Sequence, residues 1–313
     1  MSRLGHSLPE LPHWDAAPED RSAAIIAVKK ALRARIEASG RSVDEVFSAV
    51  ETRVRAHVDE IAATKAEGRV VWPVIDYADI APGTVSADDL ALLRRRGCVV
   101  VRGQFAHQQA LDWDQGIVDY VERNGFFETY RGPGDDFFGS VGSKPEIYPV
   151  YWSQAQMEAR QSEEMARVQR FLNEQWISES GGTRWFDPTR DAIYPDRIRR
   201  RPPGANSNGL GAHLDTGTLD LWMTSTSQRA FRNVFDGTIE EYDPWDATHR
   251  TTGTQYASST MRAAFRTFQG WTALSDMDHD QGVLHTVPIH FPDQQLMTLA
   301  PWTRMDTNQN HLR

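Results

Sequence analysis

Helical periodicity stops near residue 187, and that change of texture constrains the fold more than any other feature of the chain. Before it, apolar residues recur every three or four positions. Ala24, Ile25, Val28, Ala31, Leu32 and Ile36 form one stripe across residues 18–39, and Gly40 closes the pattern. Ser42 and Glu45 make a capping-box pair that opens a second helix bearing Val46, Val50, Val54 and Ile61. Two amphipathic helices joined by so short a turn predict a helical hairpin. Residues 70–75 and 98–101 read as strands with a short helix at 86–95 between them, and another helix follows over 107–124. A loop rich in glycine, proline and aromatic residues then runs to Gly142. The spacing of Met157, Met165, Val168, Leu172 and Trp176 predicts one long polar helix across 153–177. Beyond 187 the runs are short and β-prone: 264–274, with Phe265, Phe268, Trp271 and Thr272, and 282–288, with Val283, Leu284 and Val287, both read as strands. Helices first and strands second predict an α+β fold, a jelly roll buttressed by N-terminal helices whose mouth can hold a small ligand.

The chemistry concentrates in Gly211-Ala212-His213-Leu214-Asp215-Thr216-Gly217. On a strand, residues two apart project from one face, so the His213 imidazole and the Asp215 carboxylate can converge on one ion. Those donors are two thirds of the 2-His-1-carboxylate set that holds Fe(II) with coordination positions left open. An ordinary hydrogen-bonded pair is the competing reading. His-x-Asp also occurs at His13-Trp14-Asp15 and His57-Val58-Asp59. The second lies in a helical segment, where side chains two apart diverge by roughly 200° and cannot share an ion. The first precedes any periodic structure and reads as part of a mobile end. Only His213 has Gly209, Gly211 and Gly217 around it, permitting turns on both sides of a short extended piece.

Composition narrows the setting. The 313 residues are 40% hydrophobic without a long uninterrupted apolar run, which predicts a globular chain with no membrane partner. Residues 1–20 lack a basic start followed by an apolar stretch, so the cytoplasm is the expected location. A net charge of -9 opposes nucleic-acid binding, although Arg199-Arg200-Arg201 is a local basic cluster that could meet an anionic substrate. The single cysteine, Cys98, sits in the apolar run Gly97-Cys98-Val99-Val100-Val101 and reads as a buried strand residue rather than a nucleophile. No internal repeat appears.

Several strings then agree, in order, with one family. Arg-Arg-Arg-Pro-Pro-Gly at 199–204, Gly-Ala-His-Leu-Asp-Thr-Gly-Thr-Leu-Asp at 211–220, Tyr-Asp-Pro-Trp-Asp at 242–246 and Phe-Arg-Thr-Phe-Gln-Gly-Trp-Thr-Ala-Leu at 265–274 resemble the YbiU-like domain-of-unknown-function family, and the N-terminal half is similar to it too. The resemblance implies a double-stranded β-helix of the Fe(II)/2-oxoglutarate dioxygenase superfamily. Trp271-Thr272-Ala273-Leu274 followed by Gly282-Val283-Leu284 also resembles, more distantly, phytanoyl-CoA dioxygenase-type enzymes. Carried over, His213 and Asp215 become two iron ligands and Trp271 a pocket wall. Fe(II) is the implied cofactor, 2-oxoglutarate the co-substrate, and an unidentified small molecule the substrate.

The family pattern ends here near Ile289. It continues elsewhere with a further strand and a Trp-Trp-His segment leading to the distal iron ligand. His285, on a predicted strand, is the fallback for that ligand, and a structural strand residue is its other reading. Arg266 is the retained cation that could bind the distal carboxylate of oxoglutarate, or else a salt-bridged surface arginine. Gln269 could hydrogen-bond the co-substrate or a neighbouring backbone group. The expected layout is a mobile N-terminus at 1–20 and a single domain at 21–289, split into a helical annex at 21–185 and a C-terminally incomplete jelly roll at 186–289. A loose tail at 290–313 completes it. An incomplete barrel would expose a sheet edge, which favours a homodimer. The alternatives to an active oxygenase are a catalytically inactive, truncated member and a cupin-like binding module without redox chemistry.

Overall fold

A computed structural model describes residues 8–9, 17–130, 147–191, 193, 196–200, 223, 225–248, 267–278 and 283–289. Two helices open it, α1 (Pro18–Glu37) and α2 (Val43–Ala66). Pro18 starts α1 at a position where its missing N–H costs nothing, and Glu19 and Asp20 complement the positive helix end. The expected capping box opens α2. Ser42 Oγ accepts from the Glu45 N–H at 3.2 Å, and the Ser42 N–H donates to Glu45 Oε2 at 2.6 Å.

The predicted hairpin forms, but its apolar seam is filled by chain from far downstream. Val28, Leu32, Val46 and Val50 share a core with Met223, Val234, Phe235 and Ile239, and with Leu8 from the other end of the sequence. The downstream residues belong to the short helices α9 (Ser225–Ala230) and α10 (Arg232–Phe235) and a 3-10 turn, Ile239–Glu241. Polar contacts hold the seam's edge: Arg35 Nε donates to Asp236 Oδ1 at 2.5 Å, and Arg41 Nη1 donates to the Gly237 carbonyl at 2.9 Å.

A second unit follows. Strand β1 (Val74–Asp76) runs parallel to β2 (Val100–Arg102), with Ile75 opposite Val101. The crossover carries α3 (Tyr77–Ile80) and α4 (Ala87–Arg96). Ser86 caps α4 and Gly97 ends it in the left-handed region, φ 68°. Ile75 and Ile80 bury against Val168. Helix α5 (His107–Arg123) matches the predicted helix, and α6 (Phe126–Thr129) extends it around a turn.

The long helix expected at 153–177 is instead two, α7 (Gln154–Gln161) and α8 (Glu163–Asn173). Ser162 breaks it. Its hydroxyl accepts the Met165 N–H at 3.0 Å while donating to the Ala159 carbonyl at 2.9 Å, so one residue ends the first helix and caps the second. Buried Ala155 faces Trp113, Ile117 and Val121 of α5, whereas Val168 joins the β1 cluster. The break lets consecutive helices serve two cores.

Short antiparallel pairs complete the described residues: β3 (Ile147–Tyr148) with β6 (Ile198–Arg199), and β4 (Glu179–Ser180) with β5 (Thr183–Arg184). Segments 267–278 and 283–289 carry no assigned strand. Residues 201–222 and 251–266, which hold much of the expected jelly roll, lie outside the described residues, as do residues 290–313. Among the described residues no helix is long and apolar enough to cross a membrane.

Candidate functional site

Three of the six sequence-derived site residues, His213, Asp215 and Arg266, lie outside the described residues, as does the His-x-Asp copy at 13–15. What the structure describes is the chain that carries them. Upstream of the motif, β6 pairs Ile198 with Tyr148 and buries Ile198 in the α5–α7 core. Downstream, Met223 is fully buried against the α1–α2 hairpin. The described residues on either side of 201–222, Ile198 and Met223, thus belong to different hydrophobic cores.

Gln228 adds polar contacts at Met223. Its buried amide accepts the Leu8 N–H at 2.9 Å and donates to the Met223 carbonyl at 2.7 Å and the Leu8 carbonyl at 3.3 Å. Three partners satisfy most of the capacity of one buried amide. No sequence signal marked Gln228, because a glutamine within a Ser-Thr-Ser-Gln run has the composition of a surface turn.

The stretch after Arg266 is clamped at both ends. Thr267 Oγ1 donates to Asn173 Oδ1 at 2.5 Å, and Asn173 Nδ2 donates to Asp191 Oδ1 at 2.6 Å. Phe268 lies 5.8 Å from the Trp245 ring and 6.4 Å from Trp176, centroid to centroid. Leu274 packs against the Trp113 cluster. Between the clamps Gln269 and Trp271 are exposed. Tyr242 is half-buried against the α1–α2 core, and Trp245 is buried with its Nε1 donating to the Arg94 carbonyl at 2.9 Å.

His285 is exposed on 283–289. Burial pushes the Cys98 thiol above its ordinary pKa, while Thr286 and the Arg96 charge pull the other way. A half-buried thiol held protonated is a poor nucleophile, consistent with the reading of Cys98 as structural, although it sits just ahead of β2 rather than within it. In the basic cluster, Arg199 is exposed on β6, Arg200 lies 3.8 Å from Asp114, and Arg201 falls outside the described residues. His57 is on α2, as its helical surroundings required, and its Asp59 partner diverges around the helix. Among the described residues no group of three or more His, Cys, Asp or Glu is placed to hold a metal.

The sequence pattern of the Gig2-like family matches residues 20–312, a span that includes most of the stretch from His290 onward expected to fall outside the family. "Uncharacterized protein YbiU" of Escherichia coli (strain K12) is 54% identical over 278 residues, covering 88% of this chain and 65% of that protein. The chain therefore spans somewhat less than two thirds of that relative's length. The crystal structure of hypothetical protein JW0805 from Escherichia coli at high pH is 49% identical with a TM-score of 0.78, covering 93% of this chain and 68% of that one. The crystal structure of the "Putative Oxidoreductase from Salmonella typhimurium LT2" is 50% identical with a TM-score of 0.80, covering 93% and 69% respectively. With the family pattern spanning nearly the whole sequence and the YbiU resemblance borne out, the chain belongs to the Gig2-like family.

Proposed function

We propose that the chain is an Fe(II)- and 2-oxoglutarate-dependent oxygenase acting on a small molecule, built on a jelly roll of which 186–289 supplies the core. The observation that carries this reading is the glycine-flanked His213-Leu214-Asp215 motif, a nitrogen and an oxygen donor of the kind that suits Fe(II). The oxidoreductase name borne by the Salmonella relative supports the same class of chemistry. When bound, iron with oxoglutarate would supply the oxidation of substrate by O2; the protein's share is to bind, orient and exclude water. His213 and Asp215 would hold the metal, with His285 as the remaining imidazole. Arg266 would hold the distal carboxylate of oxoglutarate. Gln269 could donate to that co-substrate, and Trp271 would form a wall beside it. The clamps at Thr267–Phe268 and Leu274 fit this assignment, because they restrain the backbone on both sides of Gln269 and Trp271.

Anaerobic Fe(II) titration followed by assay of oxoglutarate-dependent succinate release tests the proposal. The expected result is stoichiometric iron, lost in Asp215→Ala while the helical circular dichroism is unchanged, and weakened about tenfold or more in His285→Ala. A folded chain that takes up no iron, or an Asp215→Ala variant that titrates like the wild type, defeats the proposal and leaves the metal-free binding module.

A further inference from the structure

A side-chain amide taken out of water needs partners, because its lost hydration is otherwise uncompensated. Asn173, the last residue of α8, is only 7% exposed. Its Nδ2 donates to Asp191 Oδ1 at 2.6 Å and to the Pro188 carbonyl at 3.3 Å, and its Oδ1 accepts from Thr267 Oγ1 at 2.5 Å. A carboxylate and a backbone carbonyl only accept, which fixes the amide with its nitrogen toward Asp191 and Pro188 and its oxygen toward Thr267. The Thr267 hydroxyl proton is thereby committed to Asn173. Packing alone would be met by an apolar side chain; the amide adds direction, because it holds 188–191 and 267 in one geometry. The anchor stands on a packed element. Helix α8 buries Val168 against Ile75 and Ile80, and Phe268, next to Thr267, lies against Trp176 and Trp245. Arg266 is covalently joined to Thr267, and Gln269 follows it by two residues, at most about 7 Å along the chain.

We propose that Asn173 is a positioning residue for oxoglutarate: through Thr267 it fixes the chain that carries Arg266 and Gln269, so that both meet the co-substrate together. The assignment rests on the oxygenase reading and adds to it a residue that touches neither iron nor co-substrate. Arg266 binds a carboxylate that takes no part in the oxidation, so loosening it weakens ground state and transition state alike. Loss of the anchor therefore raises KM for oxoglutarate and spares kcat at saturation. A merely structural residue does the reverse: its loss lowers the folded fraction, and with it the apparent kcat, while KM stays where it was.

Succinate release by the full 313-residue chain, loaded with Fe(II), is measured against oxoglutarate concentration in four variants. Asn173→Ala removes the anchor, Thr267→Val keeps the shape and loses the hydroxyl, Thr267→Ser keeps the hydroxyl, and the double variant combines Asn173→Ala with Thr267→Val. KM is expected to rise about tenfold or more in Asn173→Ala and in Thr267→Val, with kcat within about twofold of wild type, and to rise no further in the double variant. Thr267→Ser should stay within about twofold of wild type in both constants. Amide nitrogen relaxation of the metal-free chain supplies a readout that needs no turnover: the order parameters of Phe268 and Gln269 should fall from about 0.85 to below about 0.6 in Asn173→Ala and Thr267→Val. A wild type without oxoglutarate-dependent turnover defeats the oxygenase reading, and this assignment with it. Wild-type turnover with KM unmoved in the variants, or a loss confined to kcat, overturns the assignment alone. So do a Thr267→Ser variant as impaired as Thr267→Val, losses that multiply in the double variant, and order parameters that no substitution moves.

Discussion

Gly237 and Gly97 both adopt left-handed backbone, at φ 72° and 68°, yet their surroundings differ. A Cβ at Gly97 would meet nothing within 4 Å, whereas one at Gly237 would lie 2.9 Å from Val46 Cγ2 and 3.1 Å from Ile36 Cγ2. Gly97→Ala should therefore cost only the backbone preference, about 1 kcal/mol. Gly237→Ala adds overpacking against two core side chains and should cost about 2–4 kcal/mol. Urea unfolding of both variants checks the difference, and equal losses would mean that the hairpin does not close tightly on this turn. Gly97 directly follows Arg94-Arg95-Arg96, so its helix-ending role is set by its immediate neighbours. Gly237 differs, since its constraint comes from residues about 190 to 200 positions upstream. The buried amide of Gln228 belongs to the same class: its partners Leu8 and Met223 are 220 and 5 residues away.

At the scale of elements, α2 and α4 are joined by one carboxylate. Glu60 accepts from Arg95, and Oε1 also accepts from Arg96 Nη2 at 3.0 Å, while Arg96 Nε donates to the Val71 carbonyl at 3.2 Å. The Arg96 side chain is 1% exposed and Glu60 36%. Removing one member of a fully buried pair costs about 3–5 kcal/mol, and the partial exposure of Glu60 reduces that, so Glu60→Gln should cost about 1–2 kcal/mol. Its pH dependence has a definite sign. The hydrogen bond from Arg95 holds the Glu60 carboxyl below its ordinary value against the opposing effect of burial, with the Arg96 charge adding to it. A depressed folded-state value contributes stability above the unfolded pKa, and that contribution is lost as pH falls through the lower folded one. The gap between wild type and Glu60→Gln should be constant above about pH 5 and close progressively below about pH 4. A gap that instead widens in acid would show that Glu60 is not ionised at this joint. Element identity was largely readable in the chain: α1, α2, α4 and α5 stand where periodicity and caps set them. The failure was at Ser162, where a continuous apolar stripe hid a serine followed by two glutamates, itself a helix-start signal.

For the whole molecule, the α1–α2 hairpin cannot bury its own stripe. Met223, Val234, Phe235 and Ile239 are each no more than 1% exposed within it, and at about 1.5–3 kcal/mol per side chain they contribute burial comparable to the net stability of a domain. A fragment ending at Arg200 should keep exchange protection in α5 and α7, which pack on each other and on β3–β6, while losing it at Val28 and Val50. Equal protection of those two amides in fragment and full chain would show that the hairpin is autonomous. Helix positions, caps and the glycine-framed His213–Asp215 motif are carried by residues within a turn or two of one another, so the sequence by itself determined them. Only tertiary structure decided that β1 and β2 run parallel, that α7 and α8 serve separate cores, and that the chain beyond the motif closes on the first two helices. Such pairings depend on loop closure and on burial shared between segments from tens to about two hundred residues apart, and no local pattern encodes which distant apolar face will meet which.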